Sequence, residues 1–298
     1  MTIAIASGKG GTGKTTIAVA LAESAPSHVF LLDCDVEEPN SGLFLQKNAG
    51  EKKDVHVLIP KIDESLCTAC GLCSSFCQFN ALACIGKHAL VFPELCHACG
   101  GCALVCPVKA ITEHPSSIGE KNLYSIPREK KHPLRLIEGR LSIGKAMSPP
   151  LIRSVKKEAE EILLSDKSLK ESLIIIDCPP GTSCPMVTAV DGSDFTVLVT
   201  EPTPFGLHDL KIAVETVRKM QIPFGIIINR SNAGDDRVVR YAESENIPIL
   251  LQVPEDMHIA QAYAIGKSLI SAVPAYEHQF RSVLANIESQ VHNKEPKE

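Results

Sequence analysis

Eight cysteines fall into two sets of one spacing, C-x2-C-x2-C-x3-C: Cys67, Cys70, Cys73 and Cys77, then Cys96, Cys99, Cys102 and Cys106. The second set repeats the first at an offset of 29 residues, and Ala81-Leu82 is echoed by Ala110-Ile111. Such a repeat implies two copies of one small unit. Thiols at this spacing suit iron–sulfur chemistry. Three cysteines two residues apart let one tight loop wrap three corners of an iron–sulfur cube, and the fourth leaves on a helical turn to reach a neighbouring cube. Structural zinc usually shows two Cys-x-x-Cys pairs joined by a longer loop instead. Cys84 lies outside the repeat and is expected in a short hairpin, as a small buried apolar residue rather than a ligand.

A second chemistry precedes the cysteines. Residues 8–16 read GKGGTGKTT, between the apolar, β-branched run TIAIAS and TTIAVALAES, which has helical spacing. Strand, glycine-rich loop and helix is the context of a phosphate-binding loop. Gly8, Gly10, Gly11 and Gly13 permit backbone geometry closed to larger residues, so amide N–H groups, with Thr12 and Thr16 in the loop, can converge on phosphate oxygens. Lys14 would neutralise the β- and γ-phosphates, and the Thr15 hydroxyl would ligate Mg²⁺.

Lys9 gives the loop a second lysine, K-G-G-T-G-K-T. This resembles the deviant Walker A of the MinD/ParA family, which includes the nitrogenase iron protein and is related to Mrp-like ATPases. The resemblance implies Mg²⁺-dependent ATP hydrolysis by a homodimer, or a heterodimer with a related ATPase, in which Lys9 reaches the partner's nucleotide. A solvated surface lysine is the plain alternative. By the same resemblance, Asp35 in VFLLDCDVEEPN is the switch I carboxylate that orients or activates the attacking water, with Asp33 nearby. Asp177 in LIIIDCPPG is the Walker B acid that organises Mg²⁺ through water, with Gly181 in switch II. FGIIINR ends in Asn229, which would hydrogen-bond adenine; residue 232 is Asn where guanine readers place Asp, which favours ATP over GTP. QVPEDMHIAQAYAIGKSL resembles the segment that closes over the base, making Pro254 and Glu255 candidates.

The cysteine sets resemble the bacterial ferredoxin run, whose fourth cysteine ligates the other cluster. That resemblance implies one [4Fe–4S] cluster on Cys67, Cys70, Cys73 and Cys106, and a second on Cys96, Cys99, Cys102 and Cys77. Pro107 follows the second set as the pattern expects; Gln78 replaces the proline after the first. Cys184 resembles, in its place in the chain, a cluster-ligating cysteine of the nitrogenase iron protein. A bridging cluster of that type needs a second cysteine, and none occurs between Cys106 and Cys178. Two readings stand for Cys184: a small buried residue in a tight turn, or one of two thiolates meeting across a dimer axis. Cys178 is expected to face the core or the magnesium site.

The elements that must position these groups are short strands near 2–6, 29–33, 173–177, 195–200, 224–229 and 248–251, alternating with helices. They imply an α/β fold with a mostly parallel sheet. The expected organisation is a MinD/ParA-like P-loop ATPase domain over 1–60 and 116–298, with a small α+β ferredoxin-like domain, 61–115, inserted. GEKKDVHVLIPKID leads into the insert, and TEHPSSIGEKNLYSIPREKKHPLRL reads as linker plus ATPase edge. SPPLIRSVKKEAEEILLSD starts a helix with proline in its first turn and a solvated charged face.

The chain has 298 residues, 44% of them hydrophobic, and a net charge of −5. That allows a large core and argues against nucleic-acid binding, which calls for clustered Lys and Arg. Twelve cysteines without a signal peptide point to metal ligation rather than disulfides. No apolar run is long enough to span a bilayer, so a cytoplasmic protein without membrane insertion is expected. Phe280, Leu284, Ile287 and Val291 form a stripe expected to pack on the protein itself. Three functions are compatible: an ATP-gated iron–sulfur protein serving electron transfer or metal-cluster assembly, with a redox or assembly protein as partner; a MinD/ParA-like positioning ATPase with sensory or structural clusters; and an electron carrier using nucleotide for structure only. Asp35, Lys14 and Asp177 speak against the third.

Overall fold

A computed structural model describes residues 1–45, 47, 49–129, 131–145 and 147–292. In chain order, β1 (Thr2–Ala6) leads into α1 (Lys14–Ser24), followed by β2 (Val29–Asp33) and the long β3 (Glu51–Ile62). The cysteine-bearing stretch carries α2 (Leu72–Phe76), a hairpin of β4 (Leu82–Ile85) and β5 (His88–Val91), and α3 (Gly101–Leu104). The chain returns through β6 (Ile111–Ile126) and β7 (Leu134–Leu141) into α4 (Ser148–Ser165), β8 (Leu173–Asp177) and α5 (Cys184–Val190). It finishes with β9 (Phe195–Thr200), α6 (Pro204–Lys219), β10 (Phe224–Asn229), α7 (Arg237–Ser244), β11 (Ile249–Val253), α8 (Met257–Ala264), α9 (Leu269–Ala272) and α10 (Tyr276–His292).

One sheet holds nine of these strands in the order β11-β10-β9-β1-β8-β2-β7-β6-β3. From β11 to β7 every neighbour pair is parallel; β6 runs antiparallel to β7, and β3 antiparallel to β6. Alternation along β1 explains why both faces are covered. Ala4 and Ala6 join one buried cluster with Phe30, Leu32 and Ile176, while Ile3 and Ile5 join the other with Leu31, Ile175 and Phe280. A parallel strand flanked by crossover helices must be apolar on both sides, which is why these strands read as unbroken apolar runs. α10 lies on the second face with Phe280, Leu284 and Ile287 buried, as its stripe predicts.

The stretch expected to be a linker is instead strand. β3 and β6 pair from Glu51↔Leu123 to Ile62↔Ile111, with one irregularity between Val55 and His56. Their prolines are tolerated because each has an open side. Pro60 lies on the outermost strand, and Pro115 pairs with Leu58 where β7, which reaches only Gly119, no longer flanks β6. The charged face of α4 is not wholly solvated either. Glu158 is buried, with Lys53 at 2.8 Å from Oε1 and Lys121 at 2.7 Å from Oε2. One α4 carboxylate thereby clamps both long strands.

The repeat is visible in the backbone. Ala69 and Ala98, Gly71 and Gly100, and Asn80 and Lys109 are paired at the 29-residue offset, and all six have positive φ, from 51 to 78°. For alanine this is a costly conformation, on the order of 1–2 kcal/mol. Four non-glycine residues sharing it in register mark a backbone shaped for something other than packing. Among the described residues, no helix is long and apolar enough to cross a membrane.

Candidate functional site

β1 and β8 are neighbours whose connections run in opposite directions, from β1 through α1 to β2 on one side and from β8 through α5 to β9 on the other. The crevice beyond such a strand end is where open α/β sheets bind ligands. A cleft of about 460 Å³ lies there, lined by Gly10, Gly11, Gly13, Lys14, Thr15, Thr16, Asp35, Asn229 and Pro254 among the expected residues. Gly8, Lys9, Thr12 and Asp177 are not on its wall. Gly8 serves packing instead, because a Cβ there would come within 2.2 Å of the Asp209 carbonyl oxygen, so α6 packs directly on the loop. Gly13 caps α1 at φ 90° with no side-chain acceptor on the first turn's N–H groups. Those donors are free for phosphate oxygens.

Of the expected aspartates only Asp35 lines the cleft. Asp33 and Asp177 pair in register at neighbouring strand ends and are fully buried. Asp33 is a loop organiser: its Oδ2 accepts from the backbone N–H of Asn40 (3.0 Å) and Ser41 (2.9 Å), and its Oδ1 from that of Asp35 (3.2 Å). Burial, reinforced by Asp177, pushes the Asp33 carboxyl well up. Burial likewise raises Asp177, opposed by the neighbouring Thr15 hydroxyl and the charge of Lys14. Asp35 is raised to about 6, by burial first, with Lys14 pulling it down. Asp177 Oδ1 has no hydrogen-bond partner although it is buried. An orphaned carboxylate oxygen beside a threonine hydroxyl and a lysine suits Mg²⁺ with bound nucleotide, so the residues fit the metal the motif implies.

On the far side, Asn229 Nδ2 donates to the Thr12 carbonyl at 2.9 Å, tying the end of β10 to the phosphate loop. Asn232 Oδ1 accepts from the Glu255 N–H at 2.6 Å, which fixes the segment after β11. Pro254 and Glu255 both line the cleft. Sequence reasoning missed Glu38, Arg230, Asp256 and Tyr263 on the same wall. Glu38, Arg230 and Asp256 follow motif residues in loops and Tyr263 lies on α8, and no spacing rule singles them out.

The cysteines separate into two cavities. Cys67, Cys70, Cys73 and Cys106 line one of about 20 Å³; Cys77, Cys96, Cys99 and Cys102 line another of about 300 Å³. The fourth thiol of each set therefore stands with the other set's three. Cys84 departs from expectation: it is half-buried on β4 and lies on the wall of the first cavity, the tighter of the two. Backbone N–H groups donate to three of the sulfurs, from Ala81 to Cys77 (3.4 Å), Ala98 to Cys96 (3.4 Å) and Ala110 to Cys106 (3.3 Å). Burial raises the thiols of Cys73 (to about 11), Cys96 and Cys102. Sulfurs that are costly to ionise alone, yet supplied with N–H donors, fit the ligands of a cationic iron–sulfur centre. No group of three His, Cys, Asp or Glu among the described residues is placed to hold a single metal ion. Each ligand of a cubane binds a different iron, so its thiols stand farther apart than those around one ion.

Cys184 opens α5 and is exposed, which removes its reading as a buried turn residue. Cys178 is buried in the core, on the face away from Asp177.

A P-loop at the switch point of a parallel sheet covered on both faces, with acids on the two adjoining strand ends, defines an α/β nucleotide-binding domain of the P-loop class. The chain belongs to the CobQ/CobB/MinD/ParA nucleotide-binding domain family, whose model matches residues 3–270. An uncharacterized protein of Methanocaldococcus jannaschii is 36% identical over 77% of this chain and 78% of its own. An iron-sulfur cluster carrier protein of Pyrococcus abyssi is 24% identical over 90% of this chain and 78% of its own. The septum site-determining protein MinD of Pyrococcus horikoshii, solved with Mg-ADP, shares the fold at a TM-score of 0.55 and 20% identity, covering 99% of this chain and 100% of that one.

Proposed function

We propose that this chain binds and hydrolyses ATP as a dimer and couples that cycle to the assembly or delivery of metal clusters, or of electrons, through two [4Fe–4S] centres on its cysteine-bearing segment. The observation that carries the reading is the sorting of eight cysteines into two cavities, each completed by the other set's fourth thiol. In the nucleotide site, Lys14 and the N–H groups of α1 receive the phosphates, and Thr15 with Asp177 holds Mg²⁺. Asp35 orients the attacking water and accepts its proton. Asn229, Pro254 and Glu255 hold the base. The clusters supply one-electron chemistry and, if released, inorganic cargo; the thiols and their N–H donors hold them. The small ferredoxin-like unit is taken to span 61–115, carried on the β3–β6 arm.

Similarity to proteins named iron-sulfur cluster carriers supports cluster handling. The reading as a positioning ATPase lacks a comparable observation, since the apolar face of α10 is already buried in its own core. The test is transfer from cluster-loaded protein to an apo-protein that accepts [4Fe–4S] clusters. The proposal expects the rate to differ between ATP and a non-hydrolysable analogue. Equal rates with ATP, analogue and no nucleotide, together with an unchanged rate of cluster reduction, would contradict the coupling.

A further inference from the structure

Lys9 does not hang free in solvent. Its Nζ lies 3.3 Å from Oε2 of Glu201, and Oε1 of the same carboxylate accepts from Arg230 Nη1 at 2.8 Å. Glu201 directly follows β9, which lies between β1 and β10. From that strand end one carboxylate reaches both the phosphate loop that leaves β1 and the loop that leaves β10. The Glu201 side chain is 11% exposed, against 31% for Lys9 and 52% for Arg230. The Lys9 backbone is fixed separately, because Ser7 Oγ donates to its carbonyl at 2.5 Å. The side chain is thus the part able to swing.

We infer that Glu201 is a positioning residue that holds Lys9 against its own chain in the nucleotide-free protein and releases it when two nucleotide-loaded copies meet. This rests on the reading above in which Lys9 serves the partner's nucleotide. A lysine held in cis cannot reach across an interface. A triphosphate offers several charges where Glu201 offers one carboxylate already shared with Arg230, so the phosphates win the competition for the ammonium. Arg230 also keeps the release cheap. A buried carboxylate stripped of its only cation carries a large penalty, but Glu201 retains Arg230 after Lys9 departs. Arg230 lines the nucleotide cleft as well, which places the latch beside the ligand that must open it.

The test is self-association of the full chain with Mg²⁺ and a non-hydrolysable ATP analogue, followed by light scattering against protein concentration. Wild type, Glu201→Gln, Lys9→Ala and the double variant are compared. Glu201→Gln should lower the concentration at half-association by up to about fivefold, the scale of a partly exposed ion pair. The gain should vanish in the Lys9→Ala background, which a general structural effect would not produce. Should Glu201→Gln fold poorly, Glu201→Asp keeps the charge but shortens its reach and should act in the same direction, more weakly. Wild-type association with an equal or weaker response from both Glu201 variants overturns the latch alone. A gain that persists without Lys9 does the same. A wild type that stays monomeric at every concentration overturns the dimer reading, and the latch with it.

Discussion

Ser41 Oγ donates to Asp177 Oδ2 at 3.3 Å, joining the loop after β2 to the end of β8 and leaving Asp177 Oδ1 unpartnered. The same loop is held by Asp33, so two buried acids and one serine fix its position before any ligand arrives. Carboxylates raised by burial from a usual value of 3.8 keep their protons in the folded chain where the unfolded chain has lost them. The unfolded state then binds fewer protons, and stability falls as pH rises from about 4 towards the folded values.

Nucleotide-free protein should therefore melt at a lower temperature at pH 7.5 than at pH 5.5, and Mg²⁺ with ADP should raise the melting temperature more at pH 7.5. Asp177→Asn should flatten that difference. A ligand-induced shift independent of pH would show that Asp177 does not ionise on metal binding.

ATP turnover should decline as pH is lowered through about 6, because the Asp35 carboxyl is raised to about 6 and only its ionised form accepts a proton. Asp35→Asn should bind nucleotide with unchanged affinity and lose turnover by at least about a hundredfold. Unimpaired turnover in that variant would remove Asp35 from the chemistry.

Lys14→Ala should weaken nucleotide binding by roughly 2–4 kcal/mol, or at least about thirtyfold, since it removes the buried countercharge to the phosphates. Calorimetric titration with ADP measures this directly, and a change below threefold would argue against the assignment.

Gly13→Ala should cost about 1–2 kcal/mol of stability from its φ of 90° alone. It should also push away Asn229, whose Nδ2 would stand 2.3 Å from the new Cβ. Discrimination between ATP and GTP should then weaken in competition binding; full retention would separate Asn229 from base recognition.

The strands that place the nucleotide site were legible because parallel, fully covered strands must be apolar throughout: six expected runs are β1, β2, β8, β9, β10 and β11. β3 and β6 were not, because strands at the sheet's antiparallel end tolerate Pro60, Pro115 and surface charge that read as linker. Motif residues inside the cleft were named from spacing. Glu201 was not, because its partner Lys9 lies 192 positions away and only the order of β1, β9 and β10 brings them together. The 29-residue repeat was plain in the cysteines, whereas Cys84 on the first cavity's wall depended on how the β4–β5 hairpin folds over it.

The central claim is most directly tested by iron and acid-labile sulfide in anaerobically purified protein, for wild type and single Cys→Ser variants. The account predicts about eight of each per chain from two cubane clusters. Cys67→Ser and Cys106→Ser should each lose the same half of the iron, Cys77→Ser the other half, and Cys84→Ala none. Stoichiometric zinc without sulfide, or a Cys106→Ser variant that loses its iron together with Cys96 rather than Cys67, would contradict it.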